Sequence, residues 1–320
     1  MEYILEARHL CKEFILDKDW RGRVTQTVRA VDDVSLGIPL GRTVGLVGES
    51  GCGKSTFGRT LLGLYSKTSG EVLFKGDPME TPDQLQQLRQ SVQMIFQDPY
   101  ASLNPRMTVD DIIGEPLIIH KVYARSTDRR QRVKELLELV SLTDEQGRRY
   151  PHEFSGGQRQ RIGIARALAL NPLCLICDEP ISALDVSIQV QVVNILQELQ
   201  QRLGIAMLFI AHDLAMVQHI SHQIGVMYLG RLVELGDAGE VYHHPQHPYT
   251  RALIDVIPRP NPHIRQHRSL VGEVPSPLDP PSGCPFHPRC PQSMIRCRQE
   301  VPVWRLIGEN HFSACHAIPY

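Results

Sequence analysis

Residues 48–56 read Gly-Glu-Ser-Gly-Cys-Gly-Lys-Ser-Thr, a run that fits G-x-x-x-x-G-K-[ST] and allows few folds. It follows the apolar stretch Thr43-Val44-Gly45-Leu46-Val47, which reads as a buried strand. It precedes Thr56 to Leu64, which keeps the apolar spacing of a helix. Gly48, Gly51 and Gly53 let the chain curl with its N–H groups turned inward, where side chains would obstruct a phosphate. The backbone of Gly48, Glu49, Ser50, Gly51, Cys52 and Gly53, continued by Thr56, then forms the cradle. Lys54 reaches the β- and γ-phosphates, and the Ser55 hydroxyl is a ligand for Mg²⁺. Strand, loop and helix in this order predict an α/β protein that holds a nucleoside triphosphate.

A second phosphate-seeking element lies about a hundred residues on. Ser155-Gly156-Gly157-Gln158 precedes a run from Arg159 to Leu168 that reads as a helix with Ser155 near its N-cap. A helix N-terminus carrying two glycines and free N–H groups is a second anion site. Two such ends in one chain make sense if each nucleotide is sandwiched between the loop of one subunit and the Ser155 helix end of another. With Phe154 before it, the pentapeptide resembles the signature of the ATP-binding-cassette (ABC) ATPases, which usually carry Leu at that first position.

The other elements of that family appear in its order. Leu173-Cys174-Leu175-Ile176-Cys177 is an apolar strand ending in Asp178 and Glu179. The resemblance implies that Asp178 holds the Mg²⁺ shell and that Glu179 polarises the attacking water, a division that suits catalysis by positioning and charge neutralisation. It also implies that Gln97 ligates Mg²⁺, that His212 touches the γ-phosphate, and that Asp185, in Ser182-Ala183-Leu184-Asp185, crosses a dimer interface. Phe14 is the implied platform for adenine, with Val28 nearby and Trp20, in the intervening loop, as the alternative. The implied fold is a P-loop ABC ATPase: a RecA-like core with an antiparallel β subdomain and a helical subdomain. The implied cofactors are ATP and Mg²⁺.

The composition is compatible with this. A net charge of −1 advertises no nucleic-acid surface, and the 42% hydrophobic content suits a globular chain. The start, Met1 to Arg8, lacks a basic-then-apolar leader, and no apolar run approaches bilayer-spanning length. These features predict a cytosolic chain that meets a membrane only through partners. Cys174-x-x-Cys177 lies on the strand of Asp178, so its thiols, facing the same or neighbouring directions, read as apolar fillers. His243, His244 and His247 read as a solvated loop.

Within the family, three stretches narrow the branch: residues 97–106 after Gln97, Tyr150-Pro151-His152-Glu153, and His247-Pro248-Tyr249-Thr250-Arg251-Ala252-Leu253. With the insertion Asp17 to Thr27, they resemble the oligopeptide/dipeptide (and nickel) importer ATPases, and the F-type subunit most. The implied function is an ATPase subunit that drives oligopeptide or dipeptide import. Its implied partners are a paralogous D-type ATPase, two transmembrane permease subunits and an extracytoplasmic substrate-binding protein, with neither nucleic acid nor cargo touching the chain. The implied location is the cytoplasmic face of the inner membrane. Import of nickel or another solute, and a non-transport ABC ATPase, are the alternatives. Residues 1–257 are expected to form the nucleotide-binding domain. Its helical subdomain covers about 86–153, where Val133, Leu136, Leu137 and Val140 share a face, and Tyr100, Leu103 and Pro105 mark a permease-docking loop.

Prolines then crowd residues 258–283, including Pro258, Pro260, Pro262, Pro275, Pro277, Pro280 and Pro281, and predict an extended linker. The remaining 284–320 is too short for a core of its own and requires a staple: a metal, a disulfide pair, or docking on the main domain. Cys284, Cys290, Cys297 and Cys315 are spaced C-x₅-C-x₆-C-x₁₇-C. A reducing compartment disfavours disulfides. Four thiolates suit a [4Fe–4S] cluster or tetrahedral Zn²⁺; the two tight C-x₂₋₄-C knuckles usual for zinc are missing, and some members of the resembled family hold an iron–sulfur cluster. The cluster is therefore the favoured expectation, with His287, His311 and His316 as substitute ligands if zinc is bound. Cysteines that merely pack against the cassette are the remaining alternative.

Overall fold

The computed structural model describes residues 2–257 and 272–318, so Pro258, Pro260 and Pro262 lie outside the described residues. In chain order the first elements are β1 (Tyr3–Lys18), β2 (Val24–Pro39), β3 (Thr43–Val47), α1 (Lys54–Leu61), β4 (Ser69–Phe74), β5 (Asp77–Pro78), α2 (Pro82–Ser91) and β6 (Val92–Ile95). Helices follow: α3 (Pro99–Ser102), α4 (Val109–Ile119), α5 (Ser126–Leu139) and α6 (Gly156–Ala167). Then come β7 (Cys174–Asp178), α7 (Val186–Leu203), β8 (Ala206–Ala211), α8 (Leu214–Ile220), β9 (Gln223–Tyr228) and β10 (Arg231–Asp237). The last are α9 (Ala238–His243), α10 (Pro248–Asp255), α11 (Ile295–Gln299), β11 (Arg305–Gly308) and β12 (His311–Ser313). They group into two compact units, one of residues 2–5, 38–42 and 74–210, the other of 6–37, 43–73 and the described part of 211–318.

In the first unit β6, β7 and β8 run parallel, with Val92 beside Cys174 and Cys174 beside Ala206. Parallel neighbours need a crossover, and α7 supplies it between β7 and β8, burying Val192, Val193, Leu196 and Leu199. Covered on both faces, β7 and β8 are buried throughout, which explains their unbroken apolar sequences. Cys174 and Cys177 are three apart on β7, so their side chains point to opposite faces and not in similar directions. Burial pushes the Cys174 thiol up to about 12 and raises Cys177 as well, which makes both inert fillers. Helices α4, α5 and α6 pack on one another. On α5, Val133, Leu136 and Leu137 are buried, and Val140 caps its end. Leu103 is buried, which removes it from any docking surface, whereas Tyr100 is exposed.

In the second unit β3 runs parallel to β9, β9 antiparallel to β10, and β10 antiparallel to β12. The stretch from Asp17 to Thr27 is not a loop. Strand β1 continues to Lys18 and β2 begins at Val24, leaving a turn closed by the Asp19 carboxylate, which accepts the N–H groups of Arg21 and Arg23 at 2.8 Å each. Trp20 stands at this hairpin tip, 86% exposed.

The tail is held by docking within the second unit. Strand β12 pairs with β10, placing Ser313 beside Glu234 and Phe312 beside Leu235. The wholly buried Glu234 carboxylate accepts N–H groups from Gln246 (2.7 Å) and His247 (2.9 Å), and His311 Nε2–H donates to it at 2.8 Å. A buried carboxylate is tolerated when its oxygens are satisfied in this way. Phe286 packs its ring 5.3 Å from both Tyr228 and Tyr249. His247 is the surprise, because it is buried and not solvated. Its Nδ1 accepts the Tyr249 N–H at 3.1 Å and caps α10, while its ring lies 5.7 Å from that of Phe286.

Desolvation lowers His247 to about 4, with Glu234 opposing. A histidine whose folded pKa lies below its unfolded value of about 6.5 contributes stability at neutral pH that is lost as pH falls from 6.5 towards 4, because the unfolded chain then binds the proton the folded one refuses. Between pH 7 and pH 5 this linkage costs about 2 kcal/mol. Denaturant titrations of wild type and His247→Asn, which keeps a capping oxygen, are expected to diverge by that amount over this range, with the variant the flatter.

Candidate nucleotide site

The loop at 48–53 is built by backbone geometry. Gly51 and Gly53 have φ of +79° and +104°, values closed to most side chains. A Cβ on Gly53 would stand 2.0 Å from the Ala30 carbonyl oxygen, and one on Gly48 would stand 2.2 Å from that of Met227. Helix α1 starts at Lys54 directly from left-handed Gly53, two residues earlier than its apolar pattern indicates, with no side-chain cap. Lys54 is buried, and its Nζ donates to the carbonyls of Gly48 (2.8 Å) and Glu49 (3.0 Å), so the ammonium lies inside the curl. Burial raises the Cys52 thiol against the pull of Lys54 and keeps it protonated.

In the first unit β7 delivers the two acids. Asp178 is fully buried at the strand end, and Glu179 takes φ of +45°. A left-handed glutamate is held only where its surroundings over-determine it. Here its N–H donates to Ile210 O at 3.0 Å, and the Ser182 N–H and Oγ–H both donate to its carbonyl. Gln97, which follows β6, donates Nε2–H to Glu179 Oε2 at 2.9 Å. The structure therefore joins these two predicted residues directly, although they stand 82 apart in sequence.

Ser155 caps α6 reciprocally: its hydroxyl accepts the Gln158 N–H at 3.4 Å, and its own N–H donates to Gln158 Oε1 at 3.0 Å. Ser155 is exposed and Gly157 buried. A Cβ on Gly157 would meet Ile188 at 2.4 Å, and one on Gly156 would approach Leu184 at 3.2 Å. Packing of α7 therefore demands Gly157, and the Ser182–Asp185 turn crowds Gly156, independently of any phosphate. Asp185 stands at the N-cap of α7.

His212 follows β8 and is exposed, next to Asp213, which caps α8. Phe14 is half-buried, edge-on to Tyr65 at 5.4 Å and beneath Lys12 Nζ at 4.8 Å. Ser55 in the second unit, and Gln97 and Asp178 in the first, each carry a side-chain oxygen, the ligand type a hard divalent cation such as Mg²⁺ prefers.

Sequence reasoning missed the residues that grip Glu49. Its N–H donates to Tyr249 Oη at 2.8 Å, and its carboxylate receives both Nη groups of Arg289, at 2.6 and 3.0 Å. No local signal marks a partner 240 residues away.

Among the described residues no group of three or more His, Cys, Asp or Glu side chains is arranged to hold a metal ion. Docking on β10 holds the tail in this structure. His311, the substitute zinc ligand, is spent on Glu234. The four thiols are unbridged and nonetheless neighbours. Cys284 is pushed up to about 11, by burial first, with Cys297, Cys315 and Cys290 adding to it.

Residues 31–182 match the ABC transporter family, and residues 233–297 match the oligopeptide/dipeptide transporter C-terminal region. The chain is 55% identical over 296 residues to the putative oligopeptide transport ATP-binding protein YkfD of Bacillus subtilis, covering 91% of this chain and 90% of that one. It is 53% identical over 291 residues to the oligopeptide transport ATP-binding protein OppF of Escherichia coli, covering 89% and 87%. Among solved structures it resembles cbiO1 from Clostridium perfringens (TM-score 0.66, 26% identity, 76% of this chain and 92% of that one). It also resembles the dimeric cassette MJ0796 in a post-hydrolysis state bound to ADP and Pi (TM-score 0.64, 27% identity, 73% and 98%).

The loop geometry yields a direct test. Gly53→Ala forces a Cβ onto the Ala30 carbonyl at a φ that alanine resists, so the loop must shift. ATP binding, followed by titration calorimetry, is expected to fall by at least about tenfold, equivalent to about 1.4 kcal/mol, whereas Gly239→Ala, where no atom lies within 4 Å of the new Cβ, leaves it unchanged.

Proposed function

As a member of the ABC transporter family, among the oligopeptide transport ATP-binding proteins, the chain hydrolyses ATP to energise a peptide importer, and we propose that it does so as half of a head-to-tail pair. The observation that carries this reading is the pair of phosphate-seeking ends: the inward-facing loop around Lys54, and the capped start of α6 at Ser155, Gly156, Gly157 and Gln158. In the proposed assembly each ATP lies between the loop of one ATPase and the Ser155 end of the other. A D-type paralogue is the second ATPase.

The roles follow from the chemistry of each group. Backbone N–H groups of the 48–56 loop, other than those of Glu49 and Cys52, which are spent on Tyr249 Oη and the Glu49 carbonyl, bind the phosphates together with the Lys54 ammonium, and Phe14 stacks on adenine. Ser55, Gln97 and Asp178 hold Mg²⁺, which when bound neutralises charge on the transferred phosphoryl group. Glu179 accepts the proton of the attacking water, and its Gln97 hydrogen bond orients the carboxylate. His212 contacts the γ-phosphate, and Asp185 crosses to the second subunit. Residues 1–257 form the nucleotide-binding domain with 86–153 as its helical part, 258–283 the linker and 284–320 the extension.

No helix among the described residues is long and apolar enough to cross a membrane, so attachment to the cytoplasmic face of the inner membrane falls to two permease subunits. Exposed Tyr100, Ile118, Ile119 and Val122 in and beside the helical part offer them an apolar surface. An extracytoplasmic binding protein delivers the peptide.

Glu179→Gln is expected to bind ATP as wild type does and to lose about 10² or more in turnover, accumulating as an ATP-bound pair with its partner. Lys54→Ala removes a ground-state phosphate contact and weakens binding itself. Near-normal turnover by Glu179→Gln would refute the assignment.

A second reading concerns the tail. We propose that Cys284, Cys290, Cys297 and Cys315 take up metal, as a [4Fe–4S] cluster rather than Zn²⁺. Four unbridged soft donors gathered in one short segment support this. Anaerobically purified chain is expected to be brown, with about four irons per molecule. One zinc and no colour would select the alternative metal, and folded protein free of both would dismiss the site.

A further inference from the structure

Glu49 is the second residue of the phosphate loop, and its polar groups are taken up by three other parts of the same unit. Its N–H donates to Tyr249 Oη of α10 at 2.8 Å. Its carbonyl accepts Lys54 Nζ at 3.0 Å and closes a turn with the Cys52 N–H at 3.3 Å. Its carboxylate is gripped from the C-terminal extension by both Nη groups of Arg289.

Arg289 is placed for this contact. Its side chain is 4% exposed, against 24% for that of Glu49. It stands at the end of the 3-10 turn His287–Arg289, its N–H donating to Phe286 O at 3.0 Å. The guanidinium carbon lies 6.0 Å from the centre of the Tyr228 ring, which itself touches Tyr249 and Phe286. A two-pronged Arg–carboxylate pair fixes orientation as well as distance, which a lysine cannot do.

Docking of the extension does not depend on this contact. Strand β12 on β10, the buried Glu234–His311 pair, and Ser313 Oγ–H donating to Val233 O already hold it. Arg289 lands instead on the loop that surrounds the Lys54 ammonium. Cys284 and Cys290 bracket the turn that carries it, so whatever restrains those thiols also restrains the arginine.

We propose that Arg289 is a positioning residue for nucleotide binding: it fixes Glu49, and through the Glu49 carbonyl the Lys54 ammonium, coupling the C-terminal extension to the nucleotide. This rests on the reading of the 48–56 loop as the phosphate cradle. Coupling of this kind is reciprocal, so bound nucleotide must also steady the extension.

The test uses the full-length chain and titration with a fluorescent ATP analogue, alongside steady-state ATPase assays. Arg289→Ala is expected to raise both Kd and KM about tenfold, with kcat at saturating ATP changed by less than about twofold. Arg289→Lys falls between it and wild type. Glu49→Gln weakens binding similarly, and the double variant Glu49→Gln/Arg289→Ala is no worse than the weaker single, because both remove one contact. Amide exchange across residues 284–290 slows on adding ATP to wild type and not to Arg289→Ala. Unchanged affinity in Arg289→Ala alongside reduced thermal stability would reduce the arginine to a staple and overturn the proposal. If Arg289→Ala does not fold, unchanged affinity in both Arg289→Lys and Glu49→Gln overturns it equally. Wild type that failed to bind the analogue would instead remove the nucleotide reading on which the coupling rests.

Discussion

A peptide backbone turned inward is the constraint from which the second unit is organised. Gly48 and Gly53 leave no room for a Cβ because carbonyl oxygens of Met227 and Ala30 occupy those spaces. Strand β9 and the β1–β2 hairpin are thus seated directly against the loop, and the loop cannot relax without moving them. Inside it the Lys54 ammonium is held by carbonyl oxygens, acceptors that orient a cation without neutralising its charge. Such a charge, desolvated and fixed, acts more strongly on an anion than a mobile surface lysine does.

The first unit solves a different problem, the placing of carboxylates at the end of a hydrophobic strand. Strand β7 is buried to its last residue, Asp178. Glu179 escapes the strand by a left-handed turn of the backbone, and the Ile210 carbonyl and Ser182 hold it there. The Gln97 amide then limits where its carboxylate can point. Local strain and a long-range hydrogen bond help to aim this side chain, and neither belongs to regular secondary structure.

The C-terminal extension acquires structure by borrowing it. Its short strand β12 covers the edge of β10, a row of unpaired backbone groups that invites association with other chains. The new edge, β11, has four residues and a register shift, which limits further pairing. Glu234, on β10, serves two parts at once: the loop before α10 through two N–H groups, and the tail through His311. Burial of neutral His247 makes this junction sensitive to acid.

The phosphate loop, the Ser155 cap, the acids after β7 and the α5 face were all legible in the sequence, because each depends on residues within a few positions of one another. Glycine spacing, capping side chains and apolar periodicity are local physics, and they survive in any tertiary context. Contacts between distant positions were decided by tertiary structure. His247 reads as one of three solvated histidines and is buried, because Glu234, on β10, accepts its N–H and Phe286 covers its ring. Leu103 reads as a docking residue and lies in the core, and the stretch from Asp17 to Thr27 reads as a loop and is mostly strand. The Arg289 grip on Glu49 was invisible for the same reason: the sequence specifies both charges, but only the docked extension brings an arginine 240 residues away to the loop.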